Sequence, residues 1–458
     1  MIKMIIEQGS IKSHEMSNRR WVWRYFILAA IAIILIIKIY FMIFIIDFTV
    51  GFYSVITTFI LFTLFSLSYL RYRDPFNEIK KDNPPMENPL VSIVIPVKNE
   101  EGNIERCIKS CINSSYGYKE IIVVNDASTD KTPIILEQIK KSNPNLVIIH
   151  LPVNLGKKHA IKEAIKIAQG EFYFFMDSDC NMATDAITNA VKIFLSDKEI
   201  GAITAHGRVR NAEKGNLLEK IQDVWFDGQY RILKGMESSF SSLTCCSGAL
   251  SAFRREAVKQ YMDKWANDRF LGIDFRFATD RRLTAFVLEK VKDLDRDMKR
   301  NKTIIEFNDN KIKLWKLKYS LKVNVEIGVP DTLGSLIKQQ TRWRKSFIRS
   351  IFATGSIYWQ RPLPAAIFYY VTIVLRLFRP YIIIKSLILL PLSGDYFSGL
   401  LYLSGAAFAG LMYGIDVRLR RPGYSRWFYR PFMNLLSTFL FTWLLIYAAI
   451  TIKNKTWR

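Results

Sequence analysis

Apolar residues collect in five long runs, two near the start of the chain and three near its end. Three of these runs contain no charged residue, at 48–70, 396–415 and 432–452. Each has about the ~20 residues that a helix needs to cross hydrocarbon. Two further runs, at 25–46 and 363–392, are as long but include basic residues. The pattern predicts membrane helices on both sides of a long polar middle.

The two charged runs contain Lys38 in the first and Arg376, Arg379 and Lys385 in the second. A guanidinium is costly to place in lipid, so we expect Arg376 and Arg379 to face protein or a water-filled cavity. The alternative is that both side chains extend along the helix toward its polar end.

Between the membrane blocks, residues 91–204 alternate short apolar segments with helical ones. The apolar segments are VSIVIPV, EIIVVND, LVIIHL and EFYFFMDSD, with helices predicted near 104–112, after Thr132 and after Gly156. This alternation is typical of an α/β domain with a parallel sheet. Ligands of such sheets collect at the carboxyl ends of the strands. Polar residues follow the strands at 98–100, 125–126, 154–157 and 177–179.

Basic residues flank the apolar runs unevenly, and positive charge marks the cytosolic side of a membrane. Arginines precede the run at 25–46 and follow the run at 48–70, whereas the turn between them has only Asp47. The N-terminus and the polar middle are therefore predicted to be cytosolic. The first run is too long for a cleavable signal and is expected to stay as an anchor.

The run at 432–452 conflicts with the charge rule, because a full crossing would place the basic residues at 453–458 outside the cytosol. We predict an interfacial or re-entrant helix that bends near Ser437 or Thr442. An ordinary fifth crossing is the alternative, since the length suffices.

The whole chain is predicted to begin with a cytosolic segment at 1–24 and two transmembrane helices at 25–70. A cytosolic domain follows at 71–362, with interfacial helices near 335–360. The chain then has two transmembrane helices at 363–415 and ends in a basic loop, an interfacial or re-entrant helix and a tail at 416–458.

The chain has 65 Lys and Arg against 41 Asp and Glu, a net charge of +24 over 458 residues. Such a charge can indicate nucleic-acid binding, but the sequence has no nucleic-acid motif and much of the excess flanks the apolar runs. We therefore expect no nucleic-acid partner. The five cysteines have no Cys-x-x-Cys spacing and all lie in the polar middle, which fits a reduced cytosolic domain without zinc.

The sharpest chemical signal is Asp177-Ser-Asp179, at the end of a predicted strand. Two carboxylates at the rim of a sheet are suitable ligands for Mg²⁺ or Mn²⁺ held against a diphosphate. Alone the motif is weak, because acidic residues in turns after strands are common. Asp126 has a similar alternative, as an N-cap or Asx turn before Thr129-Asp130.

Two later segments also carry chemistry. Asp280 lies in Ala-Thr-Asp-Arg-Arg-Leu-Thr, and Gln339-Gln-Thr-Arg342-Trp343-Arg-Lys-Ser follows some sixty residues on. The second segment combines an amide, a guanidinium suited to phosphate and an indole suited to a sugar face. Its alternative is a basic amphipathic helix on the membrane surface, and both interpretations can hold along one helix.

Taken together, these motifs resemble the processive family 2 glycosyltransferases, most closely the hyaluronan synthases and next the chitin-oligosaccharide and cellulose synthases. IVIPVKNEE, VVNDAS, NLGKKHA, DSD, CCSGAL, FLG with ATDRRLT, and QQTRWRKS occur in family order between 91 and 346. The resemblance implies a GT-A-like α/β domain combined with an α-helical transmembrane channel. It further implies inverting transfer of GlcNAc, GlcA or both from UDP-sugars to a growing chain that is then translocated.

The resemblance also implies roles for matching residues. Asp280 would be the general base that deprotonates the acceptor hydroxyl. Asp179, supported by Asp177, would hold Mn²⁺ or Mg²⁺, and Trp343 would stack on the terminal sugar. The implied donor contacts are Pro96, Asn99, Glu100, Asp126, Lys157 and Arg342, with Trp457 and Arg458 closing over the diphosphate; the implied acceptor contacts are Cys246, Ser247, Gly248, Arg281 and Gln339.

Two departures from the family pattern bear on the product. Hyaluronan synthases usually read Gly-Asp-Asp-Arg where this chain has Ala-Thr-Asp280-Arg, so the acid before the base is lost. Many also continue into further membrane helices beyond the position of Trp457-Arg458. A narrower pore, or a different or shorter product, is compatible with both departures.

Other functions stay open at this point. A chitin-type synthase would use UDP-GlcNAc alone, and a single-sugar transferase would act on a lipid phosphate, although the QQTRW segment favours processivity. A catalytically silent scaffold would not need both Asp179 and Asp280. The expected partners are a UDP-sugar, a polysaccharide or oligosaccharide acceptor and membrane lipid. We expect a monomer in the plasma membrane with its catalytic domain in the cytosol.

Overall fold

Two long helices open the chain. The computed structural model describes residues 2–79, 88–210, 212–289 and 314–454, with side chains from residue 22 onward. The helices are α1 (Ile2–Phe44) and α2 (Phe48–Ser66), and a π-helical turn at Leu67–Arg71 extends α2. The carboxylate of Asp47 accepts hydrogen bonds from the first backbone N–H groups of α2, which caps the helix and fixes the tight turn.

The domain that follows is built on ten strands. Every residue of the first strand is buried, because both faces of the sheet are covered and a continuous apolar segment is therefore required. The strands are β1 (Val91–Val97), β2 (Lys119–Asn125), β3 (Leu146–His150), β4 (Phe172–Met176), β5 (Asn181–Met182), β6 (Ile200–Val209), β7 (Leu250–Arg254), β8 (Arg269–Phe270), β9 (Ile273–Asp274) and β10 (Lys316–Ile327).

Eight strands form one mixed sheet, in the order β3-β2-β1-β4-β7-β6-β10-β5, and β8 pairs with β9. The first four strands are parallel, as the alternating pattern predicted. The sheet is not parallel throughout, however, since β7 runs antiparallel to both β4 and β6. The carboxyl ends of β1, β2 and β4 therefore meet on one edge, where β7 begins.

The helices predicted near 104–112, after Thr132 and after Gly156 are all present. They cover the sheet with apolar faces, as in the first of them, where Ile104, Cys107, Ile108 and Cys111 are buried at helical spacing. The helices of this domain are α3 (Ile104–Ile112), α4 (Thr132–Ser142), α5 (Lys157–Ile167), α6 (Ala186–Ser196), α7 (Leu217–Gly228), α8 (Gly235–Ser239), α9 (Arg255–Val258), α10 (Met262–Ala266), α11 (Thr279–Leu288) and α12 (Leu333–Ala353), with a π-helical segment at Gln229–Lys234.

Helices again dominate the last part of the chain. Within the described ranges, three helices are long and apolar enough to cross a membrane, at Val22–Phe44, Phe48–Glu78 and Tyr396–Arg420. These helices make the chain a membrane protein. The C-terminal helices are α13 (Leu363–Ile384), α14 (Leu390–Leu392), α15 (Tyr396–Arg420), α16 (Arg430–Leu436) and α17 (Trp443–Ile450), with π-helical segments at Lys385–Leu389 and Ser437–Phe441.

The last apolar run is bent. Ser425–Phe441 and Trp443–Ile450 meet at 42°, and would make a fourth span if counted as one. The break lies at Thr442, one of the two positions where the sequence predicted a bend. Beyond it, the ammonium group of Lys345 in α12 donates to the carbonyl of Asn454 at 3.1 Å. The chain thus returns to the sheet-containing domain at residue 454.

Ion pairs join the membrane helices to this domain. Arg420, at the end of α15, lies between Asp416 of its own helix (2.7 Å) and Asp227 of α7 (2.5 Å). Arg421 pairs with the other oxygen of Asp227 at 2.7 Å. Both carboxylates are buried, so these pairs hold the C-terminal end of α15 against α7.

Candidate active site

The loops after β1 and β2 lie side by side at the edge of the sheet. Asn99 and Ala127 both adopt left-handed conformations, with φ of 52° and 53°. The amide oxygen of Asn99 accepts from the backbone N–H of Thr129 at 2.8 Å, and the N–H of Asn99 donates to the Ser128 hydroxyl at 3.0 Å. Neighbouring Glu100 and the buried Pro96 are carried on the same loop and strand. The predicted uridine-binding turn is therefore a rigid, interlocked surface.

Asp126 does not form the turn that the sequence offered as its alternative role. Its two oxygens accept from the backbone N–H groups of Leu155 (2.7 Å) and Gly156 (2.8 Å), thirty residues away. The local side-chain hydrogen bond forms instead on Asn125, whose amide oxygen accepts from the N–H of Ser128, three residues on. Asp126 thus fixes the loop that leads into α5, and Gly156 takes the left-handed conformation there, with φ of 88°.

Lys157, the first residue of α5, joins two carboxylates from distant parts of the chain. Its ammonium nitrogen lies 2.7 Å from Asp177 Oδ1 and 3.0 Å from Asp280 Oδ1. Asp177 follows β4, whereas Asp280 lies in the first turn of α11. The sequence predicted all three residues for the site, and the structure brings them together.

Gly248 packs against this cluster, which leaves no space for a side chain at this position. A Cβ at this position would lie 2.6 Å from both Asp280 Oδ2 and Lys157 Nζ, and 2.9 Å from Asp177 Oδ2. Real Cβ atoms do not approach other atoms so closely, so any side chain would displace the three charged groups. The carbonyl of Gly248 also accepts from the N–H of Asp177 at 3.0 Å, which fixes the position of the loop.

The charges of the cluster depend on one another. Burial raises the pKa of Asp177, as do the carboxylates of Asp280 and Asp179, while Lys157 acts in the opposite direction. Burial alone would lower the pKa of Lys157, but Asp177 and Asp280 together raise it, so the ammonium stays charged. Two carboxylates thus share Lys157, and Asp179 nearby adds a third carboxylate to the cluster, so a further cation would be favoured there.

The residues present fit a divalent metal at Asp177 and Asp179. In the described part of the chain no group of three or more His, Cys, Asp or Glu side chains has the geometry of a complete metal site. Two carboxylates are nevertheless a suitable partial set for a hard cation whose other ligands come from a diphosphate. Asp179 is half-buried; its carbonyl accepts from Arg210 at 3.1 Å and its carboxylate from the Cys180 thiol at 3.2 Å.

Asp280 is held by the start of its helix. Ala278, the residue that precedes α11, is left-handed, with φ of 62°, at the position where the related motif has glycine. The carbonyl of Thr279 accepts from the indole N–H of Trp265 at 2.9 Å. The hydroxyl of Thr284 donates to the carbonyl of Asp280 and accepts from the N–H of Cys246. Thr284 therefore links the helix of Asp280 to the loop of Gly248.

The loop at 245–248 does not present the side chain of Cys246, which was predicted to line the acceptor site. Cys246 has a fully buried side chain that points into the core, whereas Cys245 is partly exposed. The hydroxyl of Ser247 accepts from Tyr230 at 2.9 Å. Ser247 and Gly248 thus lie at the cluster, and the partly exposed thiol of the pair is Cys245.

One helix, α12, carries Gln339, Arg342 and Trp343. A single helix is compatible with the predicted binding role of this segment and with its alternative, a basic amphipathic helix on the membrane surface. The side-chain oxygen of Gln339 is buried without a hydrogen-bond partner in the described part of the protein. The Trp343 ring stacks on that of Trp225 in α7, with centroids 5.7 Å apart at 22°. One face of the indole is therefore occupied by protein. Arg342 is half-buried beside it.

The two arginines of α13 differ in exposure, since Arg379 is partly buried and Arg376 is exposed. Arg379 donates to the hydroxyls of Ser437 and Thr438, at 3.2 and 2.9 Å. Arg376 is exposed but lies over the ring of Phe347, 5.3 Å from its centroid, and within electrostatic reach of Arg281. Arg376 thus lies near Arg281, one of the predicted acceptor contacts.

Several residues that shape the site were not predicted from the sequence. Asp268 accepts from Arg282 of α11 and from Arg349 of α12, and so ties these helices together. Tyr230 and Thr284 position the loop at 245–248. Thr284 stands four residues after Asp280 in a motif that was recognised, and this spacing could have identified it; Tyr230 and Asp268 had no comparable signal. The predicted donor contacts Trp457 and Arg458 lie outside the described residues.

Comparison with known proteins identifies the class of the sheet-containing domain. Residues 92–262 match the family model described as Glycosyl transferase family 2. A mannosyltransferase from Pyrobaculum calidifontis, solved in complex with GDP-Man and Mn²⁺, has the same fold: its TM-score is 0.51 at 20% identity, over 87% of this chain and 99% of that one. Residues 92–262 thus form a family 2 glycosyltransferase domain with a GT-A-like fold, as the motifs predicted.

The similarity to individual enzymes is more specific. A hyaluronan synthase of Streptococcus pyogenes serotype M3 is 27% identical over 415 residues, which cover 89% of this chain and 90% of that enzyme. A poly-beta-1,6-N-acetyl-D-glucosamine synthase of Staphylococcus epidermidis is 28% identical over 272 residues, 59% of this chain and 57% of the relative. The predicted resemblance to the processive synthases of the family is confirmed.

Proposed function

We propose that the protein is a processive polysaccharide synthase that transfers GlcNAc, GlcA or both from UDP-sugars with inversion and passes the product through its own membrane helices. The observation that carries this proposal is the meeting of Gly248 with Lys157, Asp177 and Asp280. One loop that would hold the acceptor lies directly against the proposed base and the residues of the donor side. Similarity to the hyaluronan synthase over most of both chains supports the choice of polymer.

The proposed reaction is a single displacement. Asp280 accepts the proton of the acceptor hydroxyl, whose oxygen attacks the anomeric carbon as the bond to the UDP oxygen breaks. Lys157 faces the same point and would balance phosphate charge. Asp179 with Asp177 would hold Mn²⁺ or Mg²⁺, which when bound would neutralise the diphosphate. The Mn²⁺ in the mannosyltransferase of similar fold supports a metal of this kind.

The charge around the proposed product path favours an acidic polymer. Burial, together with nearby Arg376, Arg379 and Arg281, lowers the pKa of Arg344 to about 10. Three further guanidinium groups thus act on Arg344. A neutral polymer would not compensate this charge, whereas the carboxylate of GlcA would. A synthase that uses UDP-GlcNAc alone is the second candidate, because the poly-N-acetylglucosamine synthase is also similar.

We further propose that the sheet-containing domain and both chain ends are cytosolic in the plasma membrane. The bend at Thr442 and the contact between Lys345 and Asn454 support a last helix that does not place the tail on the far side. A cysteine added after Arg458 should react only with reagents that reach the cytosol; labelling from outside intact cells would refute this topology.

Incorporation of radiolabelled sugar by purified protein in vesicles tests the function. UDP-GlcNAc and UDP-GlcA would be supplied singly and together, with Asp280→Asn as the inactive control. Polymer that forms only with both donors supports the hyaluronan-type reaction, and polymer from UDP-GlcNAc alone supports the chitin type. A lipid-linked monosaccharide would indicate a single-sugar transferase, and no transfer with any donor would leave only the scaffold function.

A further inference from the structure

A second cavity, separate from the candidate active site, lies where the membrane helices meet the sheet-containing domain. It has a volume of about 570 Å³, within the range of small-molecule sites. Its wall includes Trp23 and Arg24 of α1, Tyr69 after α2, Arg231 before α8 and Arg420 of α15. No residue proposed for donor, metal or acceptor binding belongs to this wall.

The depth of this cavity follows from the helices that form it. Trp23 lies at the start of the span Val22–Phe44, and Arg420 is the last residue of the span Tyr396–Arg420. Tyr69 follows the apolar part of the second span. Three spans thus end around the cavity, which places it at the level where lipid headgroups meet water. Trp and Tyr are enriched at that level in membrane proteins.

The wall has an excess of positive charge. It contains four arginines and two aspartates, Asp74 and Asp416. Both carboxylates are already engaged: Asp74 accepts from the Ser320 hydroxyl and the N–H of Leu321, and Asp416 pairs with an arginine of its own helix. The arginines are Arg24, Arg73, Arg231 and Arg420, of which Arg420 is itself paired with Asp416 and Asp227.

Arg231 is the residue that most needs an anion. It is buried, with 6% of its surface exposed. Its guanidinium donates to the Ser68 hydroxyl at 3.3 Å and lies over the Tyr72 ring, but across the described ranges it has no carboxylate within 4 Å. Arg24 lies close enough for their like charges to repel. A buried guanidinium without a counterion is costly, and a phosphate would relieve this cost.

We propose that this cavity binds the phosphodiester headgroup of an anionic membrane lipid. Planar guanidinium groups bind phosphate oxygens in pairs, and the apolar residues of α1 below the cavity, such as exposed Ile33 and Ile36, would contact the acyl chains. A soluble phosphate could satisfy the same arginines. The position at the ends of three spans favours the lipid.

The lipid would also act on the acceptor loop, a consequence that rests on the proposed function. Arg231 belongs to the π-helical segment Gln229–Lys234. In the same segment, Tyr230 donates to Ser247, and the ammonium of Lys234 donates to the carbonyl of Cys245 at 2.5 Å. Neutralising Arg231 would therefore order the segment that holds this loop, and the bound lipid would raise the rate of transfer.

Lipid binding can be measured without sugar. Protein stripped of lipid in a neutral detergent would be mixed with phosphatidylglycerol or phosphatidylcholine, then assayed by native mass spectrometry and by thermal unfolding. We expect retention of phosphatidylglycerol and a higher Tm with it alone. Arg231→Gln and the exposed Arg73→Gln should each weaken retention by roughly tenfold, the loss of one charge-assisted contact. Arg418→Gln, on an exposed arginine of α15 outside the cavity, should retain the lipid.

Three results would overturn the proposal: equal retention of both lipids, unchanged retention in both cavity variants, or an equal rise in Tm from inorganic phosphate or glycerol phosphate. The last would show a site for a soluble anion. Because these readouts involve no transfer, they stand or fall independently of the polymer reaction. Transfer assays in vesicles of the two lipids then test the effect on the acceptor loop, which fails if phosphatidylglycerol binds without raising the rate.

Discussion

The ammonium nitrogen of Lys157 lies 3.0 Å from Asp280 Oδ1, so the proposed base is held in an ion pair. The same nitrogen contacts Asp177 at 2.7 Å. A diphosphate that attracted Lys157 would weaken the ion pair between Lys157 and Asp280, and Asp280 would then accept a proton more readily. Donor binding and activation of the acceptor are thereby connected through one side chain.

Asp280→Asn should keep donor binding and lower turnover by about 10² to 10⁴-fold, the usual effect of losing a general base. The amide is of similar size but cannot take the proton. UDP binding by calorimetry and sugar incorporation would be measured side by side. If affinity fell while turnover survived, Asp280 would be a binding residue.

Asp179→Ala should abolish transfer and remove the Mn²⁺ dependence of UDP binding, because one of the two proposed metal ligands is lost. The half-buried position of Asp179 makes misfolding unexpected, and an unchanged Tm would establish this. Turnover like that of the unmodified protein would refute the metal assignment.

Gly248→Ala should lower turnover by at least about tenfold while the protein stays folded, since the new Cβ would push Asp280 and Lys157 apart by a few tenths of an ångström or more. Gly102→Ala is the matched control, because nothing lies within 4 Å of a Cβ there. Sugar incorporation and Tm would be compared for both variants. Equal activity of the two would show that the close approach at Gly248 does not matter.

Arg376→Leu should shorten the polymer or slow its release, since Arg376 lies within electrostatic reach of Arg281, one of the proposed acceptor contacts. Gel filtration of the radiolabelled product measures length, and Arg418→Leu controls for the loss of a basic residue from the membrane helices. Unchanged length and rate would favour the alternative that Arg376 only reaches toward the polar end of its helix.

His206 should make stability depend on pH. Burial lowers its pKa to about 3, despite nearby Asp227, and its Nδ1 lies 2.7 Å from the Tyr319 hydroxyl. The folded pKa is below the unfolded value of about 6.5, so the neutral form stabilises the fold above that pH and the effect is lost as pH falls. Between about pH 6.5 and 5 the loss should reach roughly 2 kcal/mol.

The measurement is Tm in detergent at several pH values in this range. His206→Gln should show a shallower fall in Tm than the unmodified protein, and His150→Gln, at an exposed position, should follow the unmodified protein. Parallel curves for His206→Gln and the unmodified protein would contradict a neutral buried imidazole.

The strands and helices of the first half of the fold could be predicted because a short stretch of sequence specifies each of them. The segments that became β1, β2, β3 and β4 are continuous apolar runs, and the helices between them repeat at 3.6 residues. The antiparallel position of β7 between β4 and β6 could not be predicted from the sequence. It pairs Phe172 with Arg254, more than eighty residues apart, and no local pattern specifies such a partner.

The same distinction applies to the candidate site. Asp177, Asp280 and Lys157 were chosen from motifs, and they meet in space. The partners of Asp126 could not be inferred, because they are backbone groups thirty residues away that become available only after the sheet has formed. Which of Cys245 and Cys246 faces inward depends on the Thr284 hydrogen bond, which was equally hidden.

Asp268 connects the helix of the proposed base to the C-terminal helices. Through Arg282 and Arg349 it fastens the helix that carries Asp280 to α12, and α12 in turn packs against the bent C-terminal helix. A change in hydrophobic thickness that tilts the C-terminal helix would therefore move the carboxylate of Asp280 relative to Gly248. Catalytic rate would then report on bilayer thickness, and the same polypeptide would work at different speeds in membranes of different acyl-chain length.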